Sequence, residues 1–127
     1  MQTAVIKKTL LLALLLVTSS AWAGWVQVSQ NDDSYFYIDP ETTRKDGNLV
    51  RVWGIRDLKQ RSKEGELSIR SRSEYDCKQE RRRTLSFSAH SEPMAGGKTL
   101  ESLTEAGNWN DIPPGSVGST ILKIVCR

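Results

Sequence analysis

Between Leu67 and Cys77 the chain alternates strictly, with Leu67, Ile69, Ser71, Ser73, Tyr75 and Cys77 on one side and Ser68, Arg70, Arg72, Glu74 and Asp76 on the other. A period of two is the signature of a β-strand, whose successive side chains leave opposite faces, so this stretch predicts a strand with one face on a core and one in water. A polar turn over Lys78 to Arg82 follows. Arg83, Leu85, Phe87 and Ala89 then alternate with Thr84, Ser86, Ser88 and His90, which predicts the antiparallel partner. If Leu85 faces Tyr75 on the buried side, Ser88 stands opposite Arg72, His90 stands exposed opposite Arg70, and Arg83 turns toward the core. Even shifts of that register keep the pattern, whereas a slip of one residue turns an apolar face to water.

A hairpin alone is marginal in water, so further strands are needed. Trp25, Val26 and Val28 suggest a first one, Asn31 to Ser34 a turn, and Tyr35 to Ile38 a second strand of high β-propensity, stopped by Asp39 and Pro40 in a capped single turn. Asp46 and Gly47 turn the chain into a third strand, where Leu49, Val50, Val52, Trp53 and Ile55 are apolar on both faces and therefore central. From Ser91 to Gly107 the pattern fails. Pro93, Gly96 and Gly97 predict a mobile loop there, and Leu100 and Leu103 fit an edge strand or a helical turn equally well. After Pro113 and Pro114, the spacing of Val117, Ile121, Ile124 and Val125 predicts a short helix with one apolar face. The expected fold is α+β, a small antiparallel β-sheet with a C-terminal α-helix packed on it.

The chain has 127 residues, and its start has another purpose. Lys7 and Lys8, the apolar run Leu10 to Val17, then Ser19, Ser20, Ala21, Trp22 and Ala23 match the three regions of a secretory signal, with cleavage between Ala23 and Gly24. Eight apolar residues fall well short of the ~20 that span a bilayer as a helix. Residues 1–23 are therefore expected to be a signal peptide and residues 24–127 one exported domain, periplasmic or secreted. No cysteine near the cleavage point invites lipid anchoring, and no later run is long enough to cross a membrane. Without the signal the chain keeps 16 basic against 15 acidic residues, which disfavours nucleic acid as a partner.

Export also gives Cys77 and Cys126 a meaning. In an oxidising compartment an isolated pair is most simply one disulfide, here from a strand to the end of the helix, and closing so long a loop stabilises by about 4 kcal/mol in the chain-entropy model. The alternative is two separate buried thiols. Two cysteines and one histidine do not complete a zinc site, so no metal is expected, nor any cofactor.

No catalytic frame is visible either. His90 has no recognisable nucleophile or orienting carboxylate, and no nucleophile elbow occurs. Gly96, Gly97, Lys98 and Thr99 imitate the end of a phosphate-binding loop, but Glu92 stands where its first glycine belongs. Asn31, Asp32 and Asp33 lack the ligand alternation of a calcium loop. Charge distribution is more informative: Arg51 to Arg83 holds 11 basic and 6 acidic residues, whereas the rest of residues 24–127 holds 5 and 9. A solvated face with local ion pairs accounts for that bias, and so does a landing site for an acidic protein, an acidic glycan, lipid headgroups or another envelope component. In the second case Arg70 and Arg72 on the wet strand face and Arg81 and Arg82 at the adjoining turn are the expected ligand-binding residues.

Tyr37 to Thr42, then Asp46, Gly47 and Asn48 leading into Val50 to Trp53, resemble the bacterial surface-adhesin protein E family. So do Glu74, Tyr75, Asp76 and Cys77, and the closing Trp109, Ile112 to Ser116 and Cys126. The resemblance implies a small antiparallel sheet, a C-terminal helix against it and a strand-to-helix disulfide. It also implies a non-enzymatic domain that adheres to host matrix proteins at the cell surface. Gly24, standing where the lipid-anchored form has a cysteine, favours an alternative function as a periplasmic structural or envelope-assembly accessory protein. A small hydrolase is the remaining rival. No binding motif carries over residue by residue.

Overall fold

The computed structural model describes residues 24–127; the signal expected over residues 1–23 lies outside the described residues. Seven strands form one antiparallel sheet: β1 (Val26–Gln30), β2 (Ser34–Asp46), β3 (Leu49–Leu58), β4 (Ser68–Asp76), β5 (Arg81–Glu92), β6 (Gly96–Leu103) and β7 (Asn110–Asp111). β1 to β6 lie side by side in chain order, and β7 pairs with the start of β5. A helix, α1 (Val117–Val125), ends the domain. The α+β architecture follows the pattern of the sequence, and β3 is central as its two apolar faces demand.

Helix α1 begins where Ser116 caps it, the Ser119 N–H donating to Ser116 Oγ at 3.1 Å. Its Ile121, Leu122 and Val125 are buried against Ile38, Val50, Val52 and Tyr75, one residue set from each of β2, β3 and β4. Cys126 then bonds to Cys77 just beyond β4, with the two Cα atoms 5.7 Å apart, and Lys45 Nζ donates to the Arg127 carbonyl at 2.6 Å. Nine helical residues rise only about 13 Å, against roughly 34 Å for the ten residues of β3. The helix covers one end of its sheet face and leaves the other open.

Four expectations need correction. β2 does not stop at Asp39 and Pro40: pairing with β3 is interrupted between Asp39 and Arg44 and then resumes to Asp46. The turn chemistry is there, since the Glu41 N–H donates to Asp39 Oδ1 and the Thr42 hydroxyl to the Asp39 carbonyl, but it makes a bulge inside a longer strand. Residues 91 to 107 are not a mobile loop. Pro93–Ala95 form one tight turn and Gly96–Leu103 an edge strand on β5, so of the two readings of Leu100 and Leu103 the edge strand holds. Met94 and Ala95 take positive φ values of 56° and 60°, a left-handed conformation costly for residues with a Cβ. Bonds from Met94 N–H to Asp57 Oδ1 (2.8 Å) and from Ala95 N–H to Ser68 Oγ (2.9 Å) hold the turn against the sheet.

The β4–β5 register is shifted by two residues from the expected one, an even shift, so that Ser68 faces His90 and Arg70 faces Ser88. It then breaks. Ser86 pairs with Arg72 but Thr84 with Ser73, leaving Leu85 as an extra residue that reverses the alternation of everything before it in β5. His90 keeps the expected face but is not exposed: only 5% of it is accessible, at the end of the sheet where the chain beyond Glu92 folds back onto Asp57 and Ser68. Its Nε2 lies 2.7 Å from Ser88 Oγ.

Two outcomes are expected. The purified domain should show no free sulfhydryl on thiol titration in denaturant, and replacing both cysteines by serine should lower unfolding stability by up to about 4 kcal/mol. Burial, with the Arg70 charge added, pushes the His90 pKa below its ordinary value. The unfolded chain therefore takes up the proton first on acidification, so stability held above the unfolded value of about 6.5 is lost as pH falls toward the folded value. Urea unfolding between pH 7 and about 5.5 should show this loss in the parent and not in His90→Gln.

Candidate binding face

The register sorts the arginines. On β3, Arg51, Trp53 and Ile55 stand opposite Glu74, Arg72 and Arg70 of β4, and these share the face turned away from α1. After the Leu85 bulge, Arg83 pairs with Glu74 and Arg81 with Asp76 on that same face, while Arg82 pairs with Tyr75 on the helix side. Of the four arginines expected to act together, Arg70, Arg72 and Arg81 are brought to one face and Arg82 is not. Arg83, expected to turn toward the core, belongs with the other three. Arg81 and Arg82 are also not in a turn but begin β5, which is why they point to opposite sides.

Glu74 organises the centre of this face. It is 2% exposed, with Oε2 accepting from Arg51 Nε at 2.8 Å and Oε1 from Arg83 Nε at 2.9 Å and a terminal Arg83 nitrogen at 2.8 Å. Burial alone raises a carboxyl pKa; the two guanidinium groups outweigh it and hold Glu74 below the usual carboxylate range. Asp76 is held low too, first by the Gln79 N–H, against a desolvation cost, and then by Arg81 and the Lys78 N–H.

Aromatic rings carry the remaining cations. The Arg81 and Arg83 guanidinium carbons each lie 4.7 Å from the centroid of the Trp109 ring, which the β7 segment delivers to this face by pairing with the start of β5. Arg70 lies 5.4 Å over Trp53. Arg51, Arg83 and Arg81 therefore have carboxylate partners. Among the described residues, Arg70 and Arg72 have none within 4 Å. The surface between them is shallow: one depression of about 490 Å³ is lined by Arg51, Arg72, Glu74, Arg83 and Leu85, another of about 550 Å³ by Asp76, Arg81, Arg83 and Trp109. Such a surface suits a charged macromolecular segment better than a small molecule.

Sequence reasoning set Glu74 on the wet strand face with Arg70 and Arg72 but did not give it a role there, and it missed Arg51, Trp53 and Trp109 as members of this face. Alternation places Glu74 beside Arg72, and i, i+2 spacing places Arg81 with Arg83, so both were accessible signals; Trp109 arrives through β7, which has no pattern of its own. Among the described residues, no group of three or more metal-ligating side chains occurs, and no helix is long and apolar enough to cross a membrane.

Removing the Glu74 charge tests how much the face depends on it. Breaking a fully buried ion pair costs 3–5 kcal/mol, but both arginines are about a third exposed and partly screened, so Glu74→Gln should cost about 2–3 kcal/mol in urea unfolding. A depressed folded pKa gives stability that is full above the unfolded carboxylate value and is lost as pH falls through the folded one. The variant should therefore flatten the acid limb below about pH 4 while leaving the His90 window unchanged.

The fold is one found in known proteins. The sequence profile described as surface-adhesin protein E matches residues 25–127. No curated protein matches the chain. Among solved structures, crystal form II of Haemophilus influenzae protein E superposes with a TM-score of 0.66 at 15% identity, covering 85% of this chain and 91% of that one. Protein E from non-typeable Haemophilus influenzae gives a TM-score of 0.63 at 15% identity, covering 85% and 78%. At that identity the likeness is one of fold, while the profile spans every strand and the helix; this chain belongs to the surface-adhesin protein E family.

Proposed function

We propose that this chain is an exported, non-enzymatic adhesin-like domain that binds an acidic partner through the sheet face turned away from α1. Family membership supports the coarse reading, a domain whose work is binding. The observation that carries the finer one is the pairing of neighbouring arginines: Glu74 and Asp76 compensate Arg51, Arg83 and Arg81, whereas Arg70, exposed, and Arg72, half-buried, stand beside Trp53 without a carboxylate partner. Carboxylates or sulfates of a matrix protein or acidic glycan supply what those two lack. A guanidinium already stacked on an indole is partly ordered, which reduces the entropy lost on binding.

The alternative, a periplasmic accessory role, is separated by treating intact cells with protease: a surface-displayed domain is degraded and a periplasmic one is protected. For the site itself, Arg70→Glu/Arg72→Glu should lower association with acidic matrix proteins or glycans at least ten-fold while the melting temperature stays within a few degrees, since rim charges act mainly on encounter. Binding by the parent should weaken steeply as salt rises to physiological strength, where the screening length is ~8 Å. Unchanged binding by the double variant sinks this site.

A further inference from the structure

The helix side of the sheet carries a second, differently built concavity. Beyond the reach of α1, a groove of about 420 Å³ opens between Ile121 of the helix and the half-buried rings of Phe36 and Phe87, with Ile69 between them. Short side chains at Ser71, Ser73 and Thr84 make its floor and give it depth. A cation stands at each end, Arg56 opposite Ile69 and Arg82 opposite Tyr75, six residues apart along β4 or roughly 20 Å. No acidic residue lines the groove, and among the described residues no carboxylate lies within 4 Å of either arginine.

The two cations are not equivalent. Arg56 is exposed, donates to Ser34 Oγ at 2.9 Å and lies 5.7 Å over Phe36, so its guanidinium is already engaged. Arg82 is half-buried, on the helix side only because Leu85 bulges, and its polar neighbour is the Tyr75 phenol, which hydrogen-bonds but brings no counter-charge. A half-buried cation on an apolar wall without a counter-ion stands in a strongly asymmetric site: an anionic head has one place to go and an apolar body another.

We infer that this groove binds a free single-chain amphipathic carboxylate, its head on Arg82 and its aliphatic chain along Ile69 between Phe36 and Phe87. The volume lies within the range of small-ligand sites. A lipid still in a bilayer does not fit, because the floor is recessed beside the helix, with Ser73 only 8% exposed. This site is on the opposite side of the sheet from the arginine face proposed above and stands or falls independently of it.

Dodecanoate below its micellar concentration is the probe, titrated into the folded domain by calorimetry with NMR resonances of Phe36, Ile69 and Phe87 followed in parallel. The expected result is saturable one-to-one binding that shifts those three residues. Ser71→Phe, which fills the groove, should abolish it, and Arg82→Gln should weaken it at least ten-fold, the loss of one charge-assisted contact. Dodecanol should bind the parent no better than dodecanoate binds Arg82→Gln. If Ser71→Phe fails to fold, Thr84→Phe and the NMR map of the parent carry the same test. The inference is overturned by no binding to the folded parent, by shifts confined to other residues, by equal affinity of Arg82→Gln, or by sedimentation with anionic vesicles in place of dodecanoate binding.

Discussion

The constraint on which the rest of this fold depends is the fastening of a nine-residue helix to one end of a much longer sheet. Ile121, Leu122 and Val125 bury the apolar residues of β2, β3 and β4 nearest the Cys77 end, and Cys126 closes the attachment covalently. With so short a helix there is no second layer for the remaining sheet. The core is consequently small and eccentric, and both the other end of the helix face and the whole opposite face have to be stabilised by something other than a packed layer.

On the opposite face that role falls to charge and aromatic stacking. Glu74, inaccessible to water, bridges β3 and β5 through Arg51 and Arg83, and Trp109 lies against Arg81 and Arg83. At the far end the tight turn after β5 is held on the sheet by hydrogen bonds from its backbone N–H groups to the Asp57 and Ser68 side chains, beside the buried His90. A buried carboxylate with two guanidinium partners contributes little net stability compared with apolar packing, but it is exacting about register: a strand slipped by one residue leaves Glu74 charged and unpartnered. The face is thus specified electrostatically where a sandwich fold specifies it by a second sheet.

How much of this was legible in the sequence varies by element. The alternation of Leu67 to Cys77, the doubly apolar β3 and the helical spacing after Pro114 each read correctly, because a local period records a local geometry. The Leu85 bulge did not. A bulge depends on how two strands fit, and nothing in Arg83-Thr84-Leu85-Ser86 distinguishes it from uninterrupted alternation; that one residue exchanged the places of Arg82 and Arg83 between the faces. His90 was misjudged for a related reason, since its polarity suited water while its burial comes from tertiary structure: it lies between Ser68 of β4 and Thr99 of β6, at the end of the sheet where the turn at Met94 and Ala95 is hydrogen-bonded to Asp57 and Ser68. The shared face of Arg70, Arg72 and Arg81 was therefore legible and the placement of Arg82 was not, while the aromatic members were visible only as residues without a partner.

The sheet is a meander in which every strand from β1 to β6 lies beside its neighbour in the chain, so it assembles from hairpins whose closing loops are short. The fastening is the opposite kind of contact, since Cys126 lies beyond every strand and its bond spans 49 residues. Order of formation follows from this: the hairpins are complete before the lock is available, and Cys77 waits as a thiol beside an unroofed apolar patch of Val50, Val52 and Tyr75. For a chain emerging N-terminus first, that interval is the vulnerable one, and the helix is at once the last element made and the cover that ends it.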